Sequence, residues 1–117
     1  MKQITESRIQ QDCAMWFHNT YPQHRGRLFE INNNSENARE GMRHKCMGRV
    51  KGVADMCLLA PGGVTIFLEF KTETGTQSPA QKEWEKIVTA IGYQYFIIRS
   101  EQEFRNLIKN YHENEKL

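Results

Sequence analysis

Three charged residues lie in or beside one of the most apolar stretches of the chain, GVADMCLLAPGGVTIFLEFKT at 52–72. They are Asp55, Glu69 and Lys71. Charged groups are costly to bury unless they are paired or bind an ion. Two close carboxylates suit Mg²⁺ or Mn²⁺, and a neighbouring ammonium can hold a phosphate oxygen or help to orient a water. The residue types therefore predict metal-assisted hydrolysis of phosphodiester bonds.

Whether these residues meet depends on the turn between the two strands that carry them. Glu69 and Lys71 share one strand face because side chains alternate along a strand. A three-residue turn at 61–63 would place Asp55 directly opposite Glu69 on the same face, whereas a turn one residue longer or shorter would separate them. An ion pair between Asp55 and Lys71 at a sheet edge is the alternative interpretation.

Hydrophobic periodicity predicts the elements that position these residues. In chain order they are a helix at 5–20, a strand at 27–31, a weak helix at 36–47, strands near 54–60 and 64–71, a helix from Pro79, a strand at 93–99 and a helix that follows Ser100. Helices before and after a central hairpin indicate an α/β fold with a mixed sheet covered on both faces.

The helix after the hairpin has the clearest start signal in the chain. Ser78 is the predicted N-cap, Pro79 the first helical residue, and Gln81 closes a capping box. The predicted buried stripe of this helix consists of Trp84, Ile87, Val88 and Ile91.

Length and composition indicate a single soluble domain that spans residues 1–117. The net charge is only +2, so any basic surface for nucleic acid must be local. The three cysteines form no C-x-x-C pair, which argues against a disulfide framework or a structural zinc site. The first twelve residues are polar and lack the apolar core of a signal peptide, and no apolar run is long enough for a membrane span, so we expect a cytoplasmic protein with no membrane partner.

Four motifs together resemble the virus-type replication-repair nuclease (VRR-NUC) domain, a branch of the PD-(D/E)xK nucleases. They are G-x-x-D at 52–55, E-x-K at 69–71, S-P-x-Q-K-x-W at 78–84 and G-Y at 92–93. The resemblance runs from about Asn32 to Arg99, and more loosely back to Glu6. It implies a restriction-endonuclease-like αβββαβ core, which agrees with the predicted element order. The sequence departs from the family at Ala54, where proline is usual, and at Phe70, where aliphatic residues are common.

The resemblance also implies roles for individual residues. Asp55, Glu69 and the backbone carbonyl of Phe70 would bind the metal, and Lys71 would be the catalytic lysine. A glutamate on the first helix completes the metal site in this family, and Glu6 is the residue that corresponds.

Two of the implied roles compete with simpler ones. On a helical wheel Glu6 falls in the sector of the buried residues, but an acid in a first turn also complements the helix dipole. In the family, a glutamine at the position of Gln81 lies beside the metal centre, although the capping box already explains this residue. Both interpretations of each residue stay open at this point.

A run of basic residues precedes the aspartate motif. Glu40 is the only acid among residues 39–51. A basic cluster at this place would lead a phosphate backbone towards the metal, while a solvated face is the simpler interpretation. The predicted DNA-binding residues are Arg39, Arg43, Lys45, Arg49 and Lys51.

Together, these expectations predict that the protein is a metal-dependent DNA endonuclease. Family members that stand alone, as this chain does, are similar to phage-type nucleases that act as homodimers on branched DNA such as Holliday junctions. The resemblance therefore favours a structure-specific enzyme of phage or prophage origin. A monomeric nicking or flap nuclease is one alternative, and a non-catalytic nucleic-acid-binding module is another.

Overall fold

A computed structural model describes the backbone of residues 4–31 and 38–113 and the side chains of 4–31 and 41–111. The helices are α1 (Glu6–Thr20), α2 (Ala38–Cys46), α3 (Pro79–Ala90) and α4 (Glu101–Glu113). The strands are β1 (Leu28–Glu30), β2 (Met56–Ala60), β3 (Val64–Phe70) and β4 (Gln94–Ile98). Among the described residues, no helix has the length and apolar character needed to cross a membrane.

The four strands form one mixed sheet in the order β1-β2-β3-β4. The first three are antiparallel neighbours, and β4 lies parallel to β3 because α3 crosses over between them. The carboxyl ends of β1, β3 and β4 therefore meet the amino end of β2 at one edge. The predicted α/β fold with a mixed sheet and the predicted order of elements along the chain are confirmed, with the first strand shorter than expected.

The hairpin between β2 and β3 has the predicted three-residue turn. Ala60 pairs with Val64 across it, and the register continues to Met56 opposite Leu68. Gly62 adopts a φ of 81°, which side-chain-bearing residues rarely do. One residue before β2, the backbone N–H of Asp55 donates to the carbonyl of Leu68 at 3.0 Å. Asp55 consequently lies against the end of β3, as the turn length predicts.

The main core occupies one face of the sheet, beneath α1 and α4. It contains the even-numbered residues of the central strands, because alternate side chains point to the same side. The helical residues buried there are Ile9, Cys13 and Phe17 from α1 and Phe104 and Ile108 from α4. Burial of this apolar surface is the main force that holds the sheet and these two helices together.

Of the described elements, α3 alone covers the opposite face, and there the predicted buried stripe is partly wrong. Trp84 packs edge-on against Phe67 with the ring centroids 4.8 Å apart, and Val88 is buried. Ile87 and Ile91 are instead 52% and 71% exposed. A single helix on a sheet buries only a narrow row of residues; Ile87 lies on the adjacent row, and Ile91 is the C-cap residue beyond the last turn of α3.

Candidate active site

A cavity of about 490 Å³ opens at the sheet edge where α1 and α3 begin. Glu6 and Gln10 line it from α1, and Glu30 lines it from the end of β1. Asp55 and Gln81 line its other side. The three carboxylates give the cavity an acidic wall, which is the chemistry that attracts a hard cation.

Asp55 is held at this cavity by the backbone of β3. Its Oδ2 accepts a hydrogen bond from the backbone N–H of Phe70 at 2.7 Å. Burial raises the pKa of Asp55, and the charges of Glu69 and Glu6 raise it further, while the bond from Phe70 and the charge of Lys71 lower it. The protein thus does not fully stabilise the negative charge of Asp55, and a bound cation would supply the missing positive charge.

Glu69 lies opposite Asp55 across the β2–β3 hairpin and is only 1% exposed. Its Oε1 accepts hydrogen bonds from the amide of Gln77, at 3.0 Å, and from the hydroxyl of Tyr95. Its Oε2 is buried and has no hydrogen-bond donor among the described residues. A buried carboxylate oxygen without a partner is destabilising and is usually explained by an ion or by function.

Lys71 follows Glu69 on the same face and is 7% exposed. Its Nζ lies 3.7 Å from Glu69 Oε2, so the two charges compensate each other in a buried place. The backbone of Lys71 donates to the carbonyl of Ile98 on β4 at 3.0 Å, which fixes the lysine at the end of the sheet. Neither Lys71 nor Glu69 is among the residues that line the cavity, so both lie beneath its surface at Asp55.

The residues present fit a divalent metal. Two oxygen-donor carboxylates, Asp55 with its raised pKa and Glu69 with its unsatisfied Oε2, are the hard ligands that Mg²⁺ and Mn²⁺ prefer. Among the described side chains, however, no group of three acidic, histidine or cysteine residues is placed to hold an ion by itself. The two carboxylates would therefore need further oxygen ligands, such as the backbone carbonyl of Phe70 or water.

Glu6 and Gln81 both reach the cavity, though not in the way their sequence positions indicate. The side chain of Glu6 is exposed rather than inward-facing, because the first turn of α1 extends past the packed part of the helix. The amide oxygen of Gln81 accepts from the backbone N–H of Ser78 at 2.8 Å, so the predicted capping box is confirmed. Gln81 nevertheless lines the cavity, so one residue both caps the helix and faces the site.

Gly52 explains why the aspartate motif begins with glycine. Its φ is 87°, and a Cβ built on it would lie 2.4 Å from the carbonyl carbon and oxygen of Ala80 and 2.8 Å from the backbone nitrogen of Gln81. Only a residue without a side chain allows this approach. The segment before Asp55 and the first turn of α3 therefore touch backbone to backbone, and together they form one wall of the cavity.

The predicted DNA-binding residues are only partly gathered at the cavity. Lys51 is exposed and lines it. Arg49 lines an adjacent groove that shares Ile31 and Val53 with the cavity. Arg43 and Lys45 are exposed on α2, and the side chain of Arg39 lies outside the described residues.

Several residues around the site have roles that the sequence did not predict. Tyr95 is the partner of Phe67 in the β3–β4 register, so its ring lies on the same face as Glu69. Burial raises the pKa of its hydroxyl, and so does its bond to Glu69, which keeps this group protonated as a donor. The strand alternation of β4 could have identified Tyr95, whereas nothing in the local pattern of the loop indicates the role of Gln77.

Arg99 organises the loop between β3 and α3 and was also missed. One guanidinium nitrogen donates to the carbonyl oxygens of Thr72 and Gly75 at 2.8 and 2.7 Å. It therefore ties the segment after Lys71 to the end of β4. This anchoring determines where the loop delivers Gln77 and the start of α3.

Comparisons with known proteins identify the fold. No model of a protein family matches the sequence, and no curated protein matches it either. A solved structure described as "VRR_NUC domain protein" is similar to this chain with a TM-score of 0.76 and 21% identity, over 95% of this chain and 90% of the other. Another, "VRR_NUC domain", is similar with a TM-score of 0.60 and 20% identity, over 92% and 99%. The structural resemblance that the motifs predict is confirmed across nearly the whole chain.

Proposed function

We propose that the protein is a metal-dependent DNA endonuclease that hydrolyses phosphodiester bonds. The observation that carries the proposal is the buried Glu69 Oε2, which finds no hydrogen-bond donor in the described part of the chain and lies near the charges of Asp55 and Lys71. The fold shared with two structures named as VRR_NUC domains supports a nuclease rather than another hydrolase. Mg²⁺ or Mn²⁺ would be the cofactor, held by Asp55 and Glu69 with the Phe70 carbonyl, and with Glu6 at the open side.

A metal bound at this place would lower the pKa of a water and stabilise negative charge on the scissile phosphate. The protein's own residues supply the rest. Lys71 presents a buried ammonium that can donate to a phosphate oxygen or hold the attacking water. Gln81 presents an amide at the cavity wall, and its capping bond keeps that amide in place.

We propose that DNA approaches from the side of α2. Lys51 stands at the cavity and Arg49 in the groove next to it, while Arg43 and Lys45 extend the positive charge outward along the exposed helix. Contacts of this kind neutralise phosphates without reading bases. They favour an enzyme that recognises the shape of its DNA rather than its sequence.

Branched DNA such as a Holliday junction is the substrate we favour, with the protein acting as a homodimer. The chain offers one Asp55–Glu69–Lys71 site, and the symmetric resolution of a four-way junction needs two nicks. Two-fold homodimers are the commonest assembly of soluble proteins. A strictly monomeric protein would favour nicking or flap cleavage instead.

The test is cleavage of labelled linear, flap, fork and four-way DNA by the purified protein with Mn²⁺ or Mg²⁺. We expect cleavage that requires the metal, is stopped by a chelator and is strongest on the four-way substrate. Glu69→Gln should be inactive, whereas Glu83→Gln, on the exposed side of α3, serves as a matched control with full activity.

Two results would redirect the proposal. DNA binding without cleavage under any metal condition would favour a non-catalytic binding module. Light scattering that gives the mass of one chain, both free and on junction DNA, would remove the homodimer and the resolvase role together.

A further inference from the structure

The two oxygens of Glu69 have different surroundings. Oε1 accepts two hydrogen bonds, one from Gln77 Nε2 at 3.0 Å and one from the hydroxyl of Tyr95. Oε2 accepts none from the residues that the structure describes and has only the Nζ of Lys71 nearby, at 3.7 Å. The carboxylate is therefore fully satisfied on one side and left open on the other, towards the lysine.

The two donors to Oε1 are themselves fixed. Gln77 Nε2 also donates to Oε1 of Glu85 on α3 at 2.8 Å. Because ionised carboxylates only accept hydrogen bonds, the amide of Gln77 must turn its nitrogen towards both of them. The ring of Tyr95 packs against Trp84 with the centroids 6.0 Å apart, and its strand is paired with β3. Neither donor can leave Glu69 without breaking a second contact.

This inference rests on the proposed function. We propose that Gln77 and Tyr95 are positioning residues that hold Glu69 by Oε1 and so present Oε2 as the oxygen that binds the metal. Without them the carboxylate would be free to rotate and to pair with Lys71 through either oxygen. The two donors thus fix the orientation of the Glu69 carboxylate before the metal binds. They also occupy Oε1, the second oxygen that a bidentate contact with the metal would need.

Groups that hold a metal ligand in place typically change metal affinity or activity by about 10- to 100-fold when they are removed. Tyr95→Phe keeps the ring against Trp84 and removes only the hydroxyl. Gln77→Met keeps the length of the side chain and removes both amide donors. We expect each variant to bind Mn²⁺ several-fold more weakly and the double variant about 10- to 100-fold more weakly, as measured by calorimetry without DNA.

A second readout separates positioning from a general loss of structure. The metal-free variants should melt below the wild type, because a buried carboxylate oxygen loses a donor, but they should keep its circular-dichroism spectrum and a single cooperative transition. Their cleavage should need more Mn²⁺ for half-maximal rate and recover towards the wild-type rate when Mn²⁺ is saturating. Tyr93→Phe is the matched control, because this tyrosine packs against Phe67 on the same face of the sheet, whereas the hydroxyl that donates to Glu69 is that of Tyr95.

The outcomes are distinguishable. Wild-type affinity for Mn²⁺ in the double variant would overturn the positioning role while leaving the proposed nuclease intact. Absence of Mn²⁺ binding by the wild type would overturn the metal centre, and this role with it. Weakened Mn²⁺ binding in the variants supports the positioning role even if the wild type cuts none of the DNA substrates, a result that would remove only the proposed function.

Discussion

Gly52 offers the sharpest test of how the cavity is built. Alanine at this position would place its Cβ 2.4 Å from the backbone carbonyl of Ala80 and 2.8 Å from the nitrogen of Gln81. These neighbours are backbone atoms at the start of α3, so they cannot rotate away as a side-chain end could. We expect Gly52→Ala to push the two walls of the cavity apart.

A matched control isolates the clash from the backbone strain. Gly62 has nearly the same dihedral, with a φ of 81° against 87° for Gly52, but a Cβ there meets no described atom within 4 Å. A left-handed conformation in a residue with a side chain costs roughly 1–2 kcal/mol, and both variants carry this penalty. Both also reduce the entropy of the unfolded chain equally, so that gain cancels in the comparison.

The clash itself adds to the strain only at Gly52. Forcing extra atoms into a packed place costs roughly 1–3 kcal/mol, occasionally more. For a chain of this size, about 1 kcal/mol lowers the melting temperature by roughly 4 °C. Gly52→Ala should therefore melt roughly 4–12 °C below Gly62→Ala.

Thermal unfolding followed by circular dichroism, with the metal-free proteins side by side, measures both effects. If the two variants melt within about 2 °C of each other, the contact between the Gly52 segment and α3 does not exist as described. Mn²⁺ titration of the same samples provides a second measurement. Gly52→Ala should bind the metal more weakly, and Gly62→Ala should bind it as the wild type does.

The remaining predictions concern the charged residues. Asp55→Asn should abolish cleavage and raise the melting temperature of the metal-free protein at pH 7, because a raised pKa makes the charged form of Asp55 destabilising. This gain in melting temperature should shrink as the pH falls through the pKa of Asp55. A gain that does not depend on pH would contradict the raised pKa. Lys71→Met should lose single-turnover cleavage but retain Mn²⁺ binding, as measured by calorimetry. If a folded Lys71→Met protein does not bind the metal, Lys71 has no role in cleavage that is separate from metal binding. Replacing Arg43, Lys45 and Arg49 with glutamine should weaken binding to every DNA sequence and reduce the salt dependence by roughly 0.9 for each phosphate that is no longer neutralised, whereas an unchanged slope would make these residues a solvated face.

The elements that carry the central residues were predictable because short-range chemistry determines them. Ser78 and Gln81 predict the start of α3 because they form a capping box, and the structure contains both hydrogen bonds of this box. The length of the turn at 61–63 decides the parity of the hairpin, and from this parity the approach of Asp55 to Glu69 follows. Both are local rules that need no knowledge of the rest of the chain.

The features that the sequence did not reveal depend on long-range packing. Ile87 and Ile91 have the spacing of a buried stripe, but whether a stripe is covered depends on how many elements lie on that face. Glu6 lies on the correct side of its helix, yet the length of α1 beyond the sheet exposes it. Gln77 acquires its role because Arg99, more than twenty residues later, shapes the loop that carries it.

The hairpin turn at Pro61–Gly63 has a consequence for how this protein can vary. The turn lies at the far end of β2 and β3, about 16 Å along the strands from the carboxylates. Exposed turns ordinarily tolerate insertions and deletions. Here, an added or lost residue must be absorbed by a different turn conformation, because a shift of the register by one residue would send Asp55 to the other side of the sheet from Glu69 and turn buried side chains outward. A length change at this distant surface turn is thus compatible with the site only if the register of β2 and β3 is kept, with Ala60 opposite Val64.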